Sequence, residues 1–314
     1  GIENLERQKK QGGFMYVIIG ASSHTGNAAA NKLLAQGKKV RVVGRNANHL
    51  AKLAAKGAEP FVGSVTDKND VAKAFAGATA AYVMFPQDQT VQDYFAYADR
   101  LIDAYASAIE KNGVKYAVSL SSVGADKSDR TGPILGLHRL EERLNRIAGL
   151  NVLHVRAAYF MENTLGQADA VAQMGQTAGP LRPELKFPLI AASDIGNFVG
   201  GALARLDFNG HQTHELHGER DLSYGEITGI IGKAIGKPNL EYAKLTADQF
   251  RGALVRIGMS DDLAQLLVEM TDSMNNGHIK TLEPRSSGST TPTSYEAFVA
   301  ENIVPAFKKA RPAA

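Results

Sequence analysis

The sequence predicts an α/β protein in which a doubly wound parallel β-sheet is followed by a smaller, mainly helical C-terminal lobe. Three observations support this. Between Met15 and Arg156, short apolar runs rich in β-branched residues alternate with stretches of helical periodicity. These runs mostly lack apolar–polar alternation, as in strands covered on both faces. After Arg156 the regular order ends, and Pro180, Pro183 and Pro188 interrupt the chain.

Six strands and the five helices between them account for the first half of the chain. The predicted strands lie at residues 15–19, 40–43, 59–62, 80–85, 115–120 and 151–156. The predicted helices lie at residues 25–36, 47–56, 68–75, 91–111 and 134–147. Since parallel neighbours need a long crossover, this order predicts right-handed strand–helix–strand units.

The second half is predicted to complete the sheet and then to form the lobe. A helix at residues 194–206 and a strand at residues 213–216 return to the sheet. In the lobe, Ser223 precedes Glu226 by three residues, which predicts a helix N-terminus. Residues 284–294 have the composition of a loop, and residues 295–309 predict a final helix.

These elements predict two domains. The sheet domain covers residues 15–156 and is completed by about residues 190–217 and 278–283. The lobe comprises residues 157–189, 218–277 and 284–314. The polar residues 1–14 precede the first strand, and we interpret them as a flexible leader or the remnant of a tag.

Composition argues against several classes of function. The net charge is only +3, and no basic tract suggests nucleic-acid binding. The chain has no cysteine, which excludes disulfides and thiolate chemistry and favours a reducing, cytoplasmic location. No apolar run approaches the roughly 18–20 residues of a membrane span. His211, His214 and His217 alternate across a predicted strand, so they do not predict a metal site.

A glycine-containing loop, "GASSHTG", joins the first strand to the first helix. A helix N-terminus after a strand offers free N–H groups and a positive dipole end to a phosphate. Gly20 would make the turn, and Gly26 would allow the helix to pack closely against the strand. The Ser23 hydroxyl could donate to a phosphate oxygen. The loop therefore predicts a dinucleotide site, with a tight turn that holds no ligand as the alternative. The predicted contacts are Gly20, Ser22, Ser23, His24, Thr25 and Gly26.

The end of the second strand selects between the two nicotinamide dinucleotides. A site for NAD places an acid about 20 residues after the loop, whereas Arg45 and Asn46 occupy this region here. An arginine can bind the 2′-phosphate of NADP through charge-assisted hydrogen bonds. We therefore predict NADP rather than NAD, with a solvated surface arginine as the alternative. Phe85, Ser121, His138 and Tyr159 are further predicted contacts.

Taken together, several segments resemble the NmrA-like group of atypical short-chain dehydrogenases/reductases. The resemblance runs from residue 15 to about residue 307. It departs from the family pattern at Ser23 and Ser64, which replace a glycine and an acid, and at Ala157, which replaces a proline. The matching segments are residues 20–26, Arg45, and residues 63–67, 119–126, 150–163, 193–196 and 214–227.

The resemblance implies a Rossmann domain that binds NADP across the carboxyl ends of the strands, and a lobe that closes over the nicotinamide. It also implies that Ser64, after the third strand, contacts the cofactor near the adenine. Relatives of this kind include quinone, aldehyde and ether reductases as well as non-enzymatic NADP sensors. The fold alone does not choose between these functions.

The usual catalytic pair of short-chain reductases is missing from this chain. No tyrosine is followed by a lysine four residues later, and His138 lies about where the lysine would be, with Ile134 in place of the tyrosine. The remaining candidates for catalysis are Ser121, His138 and Tyr159. Each has a plainer alternative: a serine that caps a turn, a structural histidine and an aromatic pocket wall.

Two functions therefore follow from the sequence. The first is an NADPH-dependent oxidoreductase for a small quinone or carbonyl substrate, since a reduced quinone can take its proton from water. The second is an NADP(H) redox sensor that regulates a partner protein. A sugar epimerase or dehydratase is disfavoured because these reactions depend on the missing pair. Neither nucleic acid nor membrane is predicted as a partner.

Overall fold

The structure is a computed structural model that describes residues 13–310. The predicted leader therefore lies mostly outside the described residues. Within the described part, the strands are β1 Met15–Ile19, β2 Lys39–Gly44, β3 Glu59–Val62, β4 Ala80–Val83, β5 Tyr116–Ser122, β6 Asn151–Ala157, β7 Tyr159–Phe160, β8 Thr177–Gly179, β9 Phe187–Ile190, β10 His211–Leu216, β11 Asp221–Leu222 and β12 Tyr242–Lys244.

Twelve α-helices lie between and after these strands in residues 13–310. They are α1 His24–Ala35, α2 Ala47–Ala55, α3 Lys68–Ala74, α4 Tyr94–Asn112, α5 Ile134–Asn145, α6 Gln167–Met174, α7 Ala192–Arg205, α8 Tyr224–Ala234, α9 Ala247–Arg256, α10 Asp261–Asn275, α11 Tyr295–Phe298 and α12 Val304–Ala310. A 3₁₀ turn at Met161–Thr164 precedes α6, and a π turn at Val299–Ile303 joins α11 to α12.

Seven strands form one parallel sheet in the order β3-β2-β1-β4-β5-β6-β10. The sequence steps outward from β1 in both directions, which confirms the predicted doubly wound sheet. Helices α1, α2 and α7 pack on one face, and α3, α4 and α5 pack on the other. This arrangement explains why the strands are apolar on both sides. All seven carboxyl ends therefore point to the same edge of the sheet.

The lobe has its own small core and two short sheets, β11-β9-β7 and β12-β8. Side chains such as Phe187, Ile227 and Tyr295 fill this core. The predicted final helix is interrupted by the π turn, where the Val304 N–H donates to the Val299 carbonyl. Pro305 follows directly, and its ring has no N–H and would clash with a carbonyl four residues earlier, so a wider turn relieves the conflict.

Helices α1 and α7 cross with almost no space between their backbones. A β-carbon at Gly196 would lie 2.3 Å from the Thr25 carbonyl oxygen, and one at Gly200 would lie 2.9 Å from the Lys32 β-carbon. Only glycine fits at such a distance, so these two positions set the approach of the helices. The crossing fixes the start of α1 against the first turn of α7.

A buried polar group, His154, connects β5 and β6 to α5. Its Nδ1 lies 2.7 Å from the Ser119 hydroxyl, and its Nε2 lies 2.8 Å from the Asn145 Oδ1. Since the amide oxygen can only accept, Nε2 carries the proton and Nδ1 accepts from the serine. The group resembles a nucleophilic triad, but Ser119 and His154 are fully buried, so its role is structural.

This histidine predicts a loss of stability on mild acidification. Burial lowers the pKa of His154 to about 4, below its usual value of about 6.5. The unfolded chain therefore takes up a proton first, and stability is lost as the pH falls from about 6.5 to about 4, by roughly 3 kcal/mol at most. Urea unfolding between pH 7 and pH 5 measures this slope. His154→Gln should flatten the slope, and His211→Gln, at an exposed position, should leave it unchanged; equal slopes for all three proteins would contradict this account.

Candidate functional site

Loops from both halves of the chain meet at the carboxyl edge of the sheet. Open parallel sheets bind ligands at this edge, where the strand order reverses between β1 and β4. The predicted contact residues lie after β1, β2, β3 and β4, at the end of β5, or on α1 and α5, and Tyr159, in β7, follows β6. The topology therefore brings the predicted positions to one side of the molecule.

Gly20 and Gly26 shape the loop between β1 and α1. Gly20 has a φ of +65°, and a β-carbon there would lie 2.5 Å from the Met84 Sδ. A β-carbon at Gly26 would lie 2.3 Å from the Gly20 carbonyl oxygen. Both positions thus require glycine, one for the turn and one for the close approach of the helix to the strand.

Ser23 is the N-cap of α1, and its hydroxyl serves the loop itself. Its Oγ donates to the Gly20 carbonyl at 2.6 Å and accepts the Gly26 N–H at 3.2 Å. The backbone at Ser23, with φ −76° and ψ 161°, is open to any residue, so the missing glycine is not needed for the turn. This corrects the prediction that the hydroxyl donates to a phosphate, because its hydrogen is already used.

Free backbone donors remain at the start of α1. No acceptor within residues 13–310 takes the N–H groups of Ser22, His24 and Thr25, and the first turn carries no acidic side chain. Ser22 and His24 are exposed, whereas the Thr25 side chain is buried. Unpaired N–H groups at the positive end of a helix fit an anionic ligand, and they fit the pyrophosphate of a dinucleotide in particular after a parallel strand.

Ser23→Gly is therefore expected to change the affinity for NADPH by about twofold or less. Glycine is itself a tolerated N-cap, and the replacement costs only a few tenths of a kcal/mol. Titration of the cofactor measures the effect. Ser223→Gly is the matched control, because Ser223 caps α8 through the same contact in the lobe. An outright gain or loss of binding in Ser23→Gly would contradict this account of the loop.

Arg45 and Asn46 lie exposed after β2, beside this loop. Asn46 caps α2 by accepting the Asn48 N–H at 2.9 Å. Arg45 forms no hydrogen bond or ion pair with any residue from 13 to 310. Asp88 is a charge in its vicinity: hydrogen bonds from Thr90 lower the pKa of this carboxyl, and the Arg45 charge adds to the effect. Arg45 is thus available to an anion.

The predicted contacts after β3 and β4 are partly engaged by the protein. The Ser64 hydroxyl lies 2.8 Å from the Thr66 hydroxyl, and the Ser64 N–H donates to the Asp70 carboxylate at 3.0 Å. Phe85 is half-buried, and its ring edge lies beside Gly136 of α5, where a β-carbon would be 3.3 Å away. Their roles as cofactor contacts stay predictions.

Ser121 is buried at the end of β5 and donates to the Glu141 carboxylate at 2.6 Å. Arg156, at the end of β6, binds the same carboxylate through two bonds of 2.9 and 2.7 Å. The hydrogen bond with Glu141 raises the pKa of Arg156. These contacts favour a structural role for Ser121 rather than the predicted catalytic one. Sequence reasoning missed Glu141, although an acid beside Leu140 on the apolar stripe of α5 was a usable signal.

His138 and Tyr159 occupy different surroundings. The His138 Nδ1 donates to the Ala125 carbonyl at 2.7 Å, and its Nε2 lies 3.8 Å from Glu142 with the side chain 18% exposed. The Tyr159 hydroxyl lies 3.2 Å from the Tyr224 hydroxyl, and its ring packs on Phe187. Burial raises the pKa of Tyr159. Tyr159 thus packs into the lobe core, which favours the pocket-wall interpretation, while the His138 Nε2 remains available.

Helix α10 of the lobe and its N-cap Ser260 lie against the loops that follow β4 and β5. The Ser260 N–H donates to the Gln89 carbonyl at 2.8 Å, and Asp262 accepts the Tyr94 N–H at 2.8 Å. The Ser273 hydroxyl donates to the Arg130 carbonyl. The lobe thus covers part of the same edge of the sheet as the predicted cofactor contacts.

Comparisons with known proteins agree with this architecture. Residues 15–298 match the NmrA-like family. The chain belongs to this family. The match covers nearly all of the described residues and therefore includes the whole sheet and most of the lobe. No curated protein sequence matches the chain significantly.

Solved structures with the same fold include three bacterial proteins of low sequence identity. A nucleoside-diphosphate-sugar epimerase from Staphylococcus aureus is 15% identical, with a TM-score of 0.74 over 91% of this chain and 99% of that one. An NADPH-dependent quinone oxidoreductase from Escherichia coli is 19% identical, with a TM-score of 0.73 over 92% and 99%. A triphenylmethane reductase from Citrobacter sp., complexed with NADP(H), is 17% identical, with a TM-score of 0.73 over 91% and 99%. These likenesses establish the fold of this NmrA-like protein.

Among residues 13–310, no group of three or more histidine or acidic side chains could hold a metal ion. In the same part of the chain, no helix combines the length and apolar character that crossing a bilayer requires.

Proposed function

We propose that this NmrA-like protein binds NADP(H) and acts as an oxidoreductase that reduces a small quinone or carbonyl compound. One observation carries the proposal: the free N–H groups of Ser22, His24 and Thr25 lie at the same edge of the sheet as the unpaired, exposed Arg45. Two anion sites after adjacent strands suit the pyrophosphate and the 2′-phosphate of one molecule.

The protein's own residues would bind and orient the cofactor. The N–H groups at the start of α1 would hold the pyrophosphate, and Arg45 would hold the 2′-phosphate. Phe85 would lie against the adenine or the nicotinamide half. When bound, NADPH supplies the hydride that reduces the substrate. Helix α10 would limit the access of water to the reacting carbon.

The second requirement of the reaction is a proton. The Ser121 hydroxyl points at Glu141, and the Tyr159 hydroxyl points into the lobe. His138 remains as the candidate proton donor. Its Nδ1 is hydrogen-bonded to the Ala125 carbonyl, and its Nε2 is available to hold a proton or to contact a ribose hydroxyl. A quinone needs less help, because the oxygen of its reduced form can take a proton from water. The site therefore suits quinones better than unactivated ketones.

The fold neighbours support this proposal. Among them are an NADPH-dependent quinone oxidoreductase and a reductase complexed with NADP(H). Sequence identities below 20% leave the substrate to experiment.

The test is NADPH consumption with a panel of quinones, aldehydes and ketones. We expect turnover above background with at least one quinone, and slower turnover with NADH. If NADPH binds but no substrate in the panel is reduced, the oxidoreductase proposal fails. If NADPH does not bind, the cofactor proposal fails as well.

A second candidate is an NADP(H) sensor that regulates a partner protein. The missing tyrosine–lysine pair, together with the engaged hydroxyls of Ser121 and Tyr159, favours it. A sensor should bind NADP⁺ and NADPH with different affinities and change the amide exchange of α9 and α10. Equal affinities with unchanged exchange would exclude this candidate.

A further inference from the structure

We infer that Tyr82 is a positioning residue for the dinucleotide loop and acts through Thr25, by a bond that Ser23→Gly leaves intact. This inference rests on the proposed function, because its consequence is a change in NADP(H) affinity. Tyr82 lies in β4 and touches neither the free N–H groups nor Arg45. Its role comes from a chain of hydroxyl groups that ends at the carbonyl of Gly20.

This chain of hydroxyl groups begins at Tyr82, in the centre of the sheet. Tyr82 is paired in register with Ile18 of β1 and is completely buried. Its hydroxyl lies 2.8 Å from the Thr25 Oγ1, which is itself in the first turn of α1. The Thr25 Oγ1 lies 3.4 Å from the Ser23 Oγ, and the Ser23 Oγ donates to the Gly20 carbonyl at 2.6 Å.

The order of donors along this chain follows from its last member. Since Ser23 gives its hydrogen to a carbonyl, it can only accept from Thr25. Thr25 then gives its hydrogen to Ser23 and accepts from Tyr82, which must be the donor. Burial also raises the pKa of Tyr82, so the phenol keeps its proton. Every hydroxyl group thus donates in the same direction, from Tyr82 in the sheet toward the turn at Gly20.

This arrangement turns the hydroxyls of Ser23 and Thr25 inward and leaves the N–H groups of Ser22, His24 and Thr25 free. Thr25 is 3% exposed, and the Ser23 side chain is folded onto Gly20. The phosphates would therefore meet backbone donors rather than these two hydroxyls, and the directions of the donors depend on the orientation of the first turn of α1. Tyr82 fixes this orientation from a strand that does not belong to the loop.

The test compares Tyr82→Phe with a matched variant, Tyr295→Phe. Tyr295 is also buried, and its hydroxyl donates to the Thr164 Oγ1 at 2.9 Å in the lobe. Both variants lose one buried tyrosine–threonine bond, so both should lower the unfolding temperature to a similar degree. In Tyr82→Phe the first turn of α1 is no longer held in place before NADPH binds, so the ligand must order it. This should weaken NADPH binding by up to about fivefold, the equivalent of one hydrogen bond, whereas Tyr295→Phe should bind NADPH like the wild type.

Fragments of the cofactor then show whether Tyr82→Phe weakens only the contact of the loop with the pyrophosphate or weakens binding at the whole site. Adenosine 2′-monophosphate carries the 2′-phosphate without a pyrophosphate, whereas 2′-phospho-ADP-ribose carries both. Tyr82→Phe should weaken only the second probe. Thr25→Val and the double variant Tyr82→Phe/Thr25→Val should show the same loss as Tyr82→Phe, because each of them removes the same Tyr82–Thr25 bond.

Several results would overturn the inference. These are wild-type NADPH affinity in Tyr82→Phe, equal weakening of both probes, equal weakening in Tyr295→Phe, or additive losses in the double variant. A wild-type protein that binds no NADPH would instead refute the proposed function. The two failures are therefore distinguishable in the same titrations.

Discussion

Replacing Arg45 by alanine is expected to weaken NADPH binding by roughly 10- to 150-fold and to leave NADH binding unchanged. A charge-assisted hydrogen bond to a phosphate contributes about 1.5–3 kcal/mol, and each 1.4 kcal/mol corresponds to a factor of ten. NADH has no 2′-phosphate, so it cannot lose this contact. The preference for NADPH should therefore fall by the same factor, as measured by titration of both cofactors.

The matched control for this prediction is Arg146→Ala. Arg146 is also exposed, but it follows α5 at the opposite edge of the sheet. Its removal changes the net charge equally and should leave both affinities as they were. Unchanged NADPH affinity in Arg45→Ala, or an equal loss in both variants, would contradict a direct contact with the phosphate. Because the arginine is exposed, added salt should reduce the difference between wild type and Arg45→Ala.

Replacing Glu141 by glutamine is expected to lower the free energy of unfolding by about 3–5 kcal/mol. Glu141 and Arg156 form a buried, bidentate ion pair, with side chains only 7% and 13% exposed. Removal of one charge leaves the other buried without a partner, which is a strongly unfavourable state. The Ser121 hydroxyl would also lose its ionised acceptor. Urea unfolding at neutral pH measures the change.

Glu110→Gln is the matched control for this pair. Glu110 receives two bonds from Arg143, also on α5, but that pair is exposed, so its loss should cost no more than about 1 kcal/mol. The double variant Glu141→Leu/Arg156→Met should be more stable than Glu141→Gln, since it buries no unpaired charge. A cost near that of Glu110→Gln would show that Arg156 reaches water when its partner is removed.

The sheet of this protein could be predicted because its signals are local and repeated. Each strand up to β6 is a short apolar run, and each crossover contains a helix with apolar periodicity. The glycine loop could also be predicted, because its turn geometry is visible in a single short segment. Arg45 was singled out by the lack of an acid after β2, and its role as a cofactor contact stays a prediction. One boundary differed: α4 begins at Tyr94 rather than at residue 91, since Asp93 accepts the Ala96 N–H and caps the helix there.

The short strands of the lobe could not be predicted, since they depend on pairing between distant segments. Strand β8 pairs with β12, and β9 pairs with β11 and β7; each has four residues or fewer and no periodicity of its own. The sequence also did not indicate that the hydroxyls of Ser23 and Ser121 point inward. A side chain's hydrogen-bond partner depends on what the fold places beside it, and for Ser121 that partner is Glu141, 20 positions away.

The close contacts of the glycines have a practical consequence for redesign of this protein. Gly26 and Gly196 have no room for even a methyl group, since a β-carbon would press on a backbone oxygen at each position. Libraries that randomise the β1–α1 loop would therefore yield mostly unfolded chains. Arg45 and Asn46 lie in open solvent, so substitution there has no steric cost. A laboratory route to a changed cofactor preference thus begins at the tip of β2.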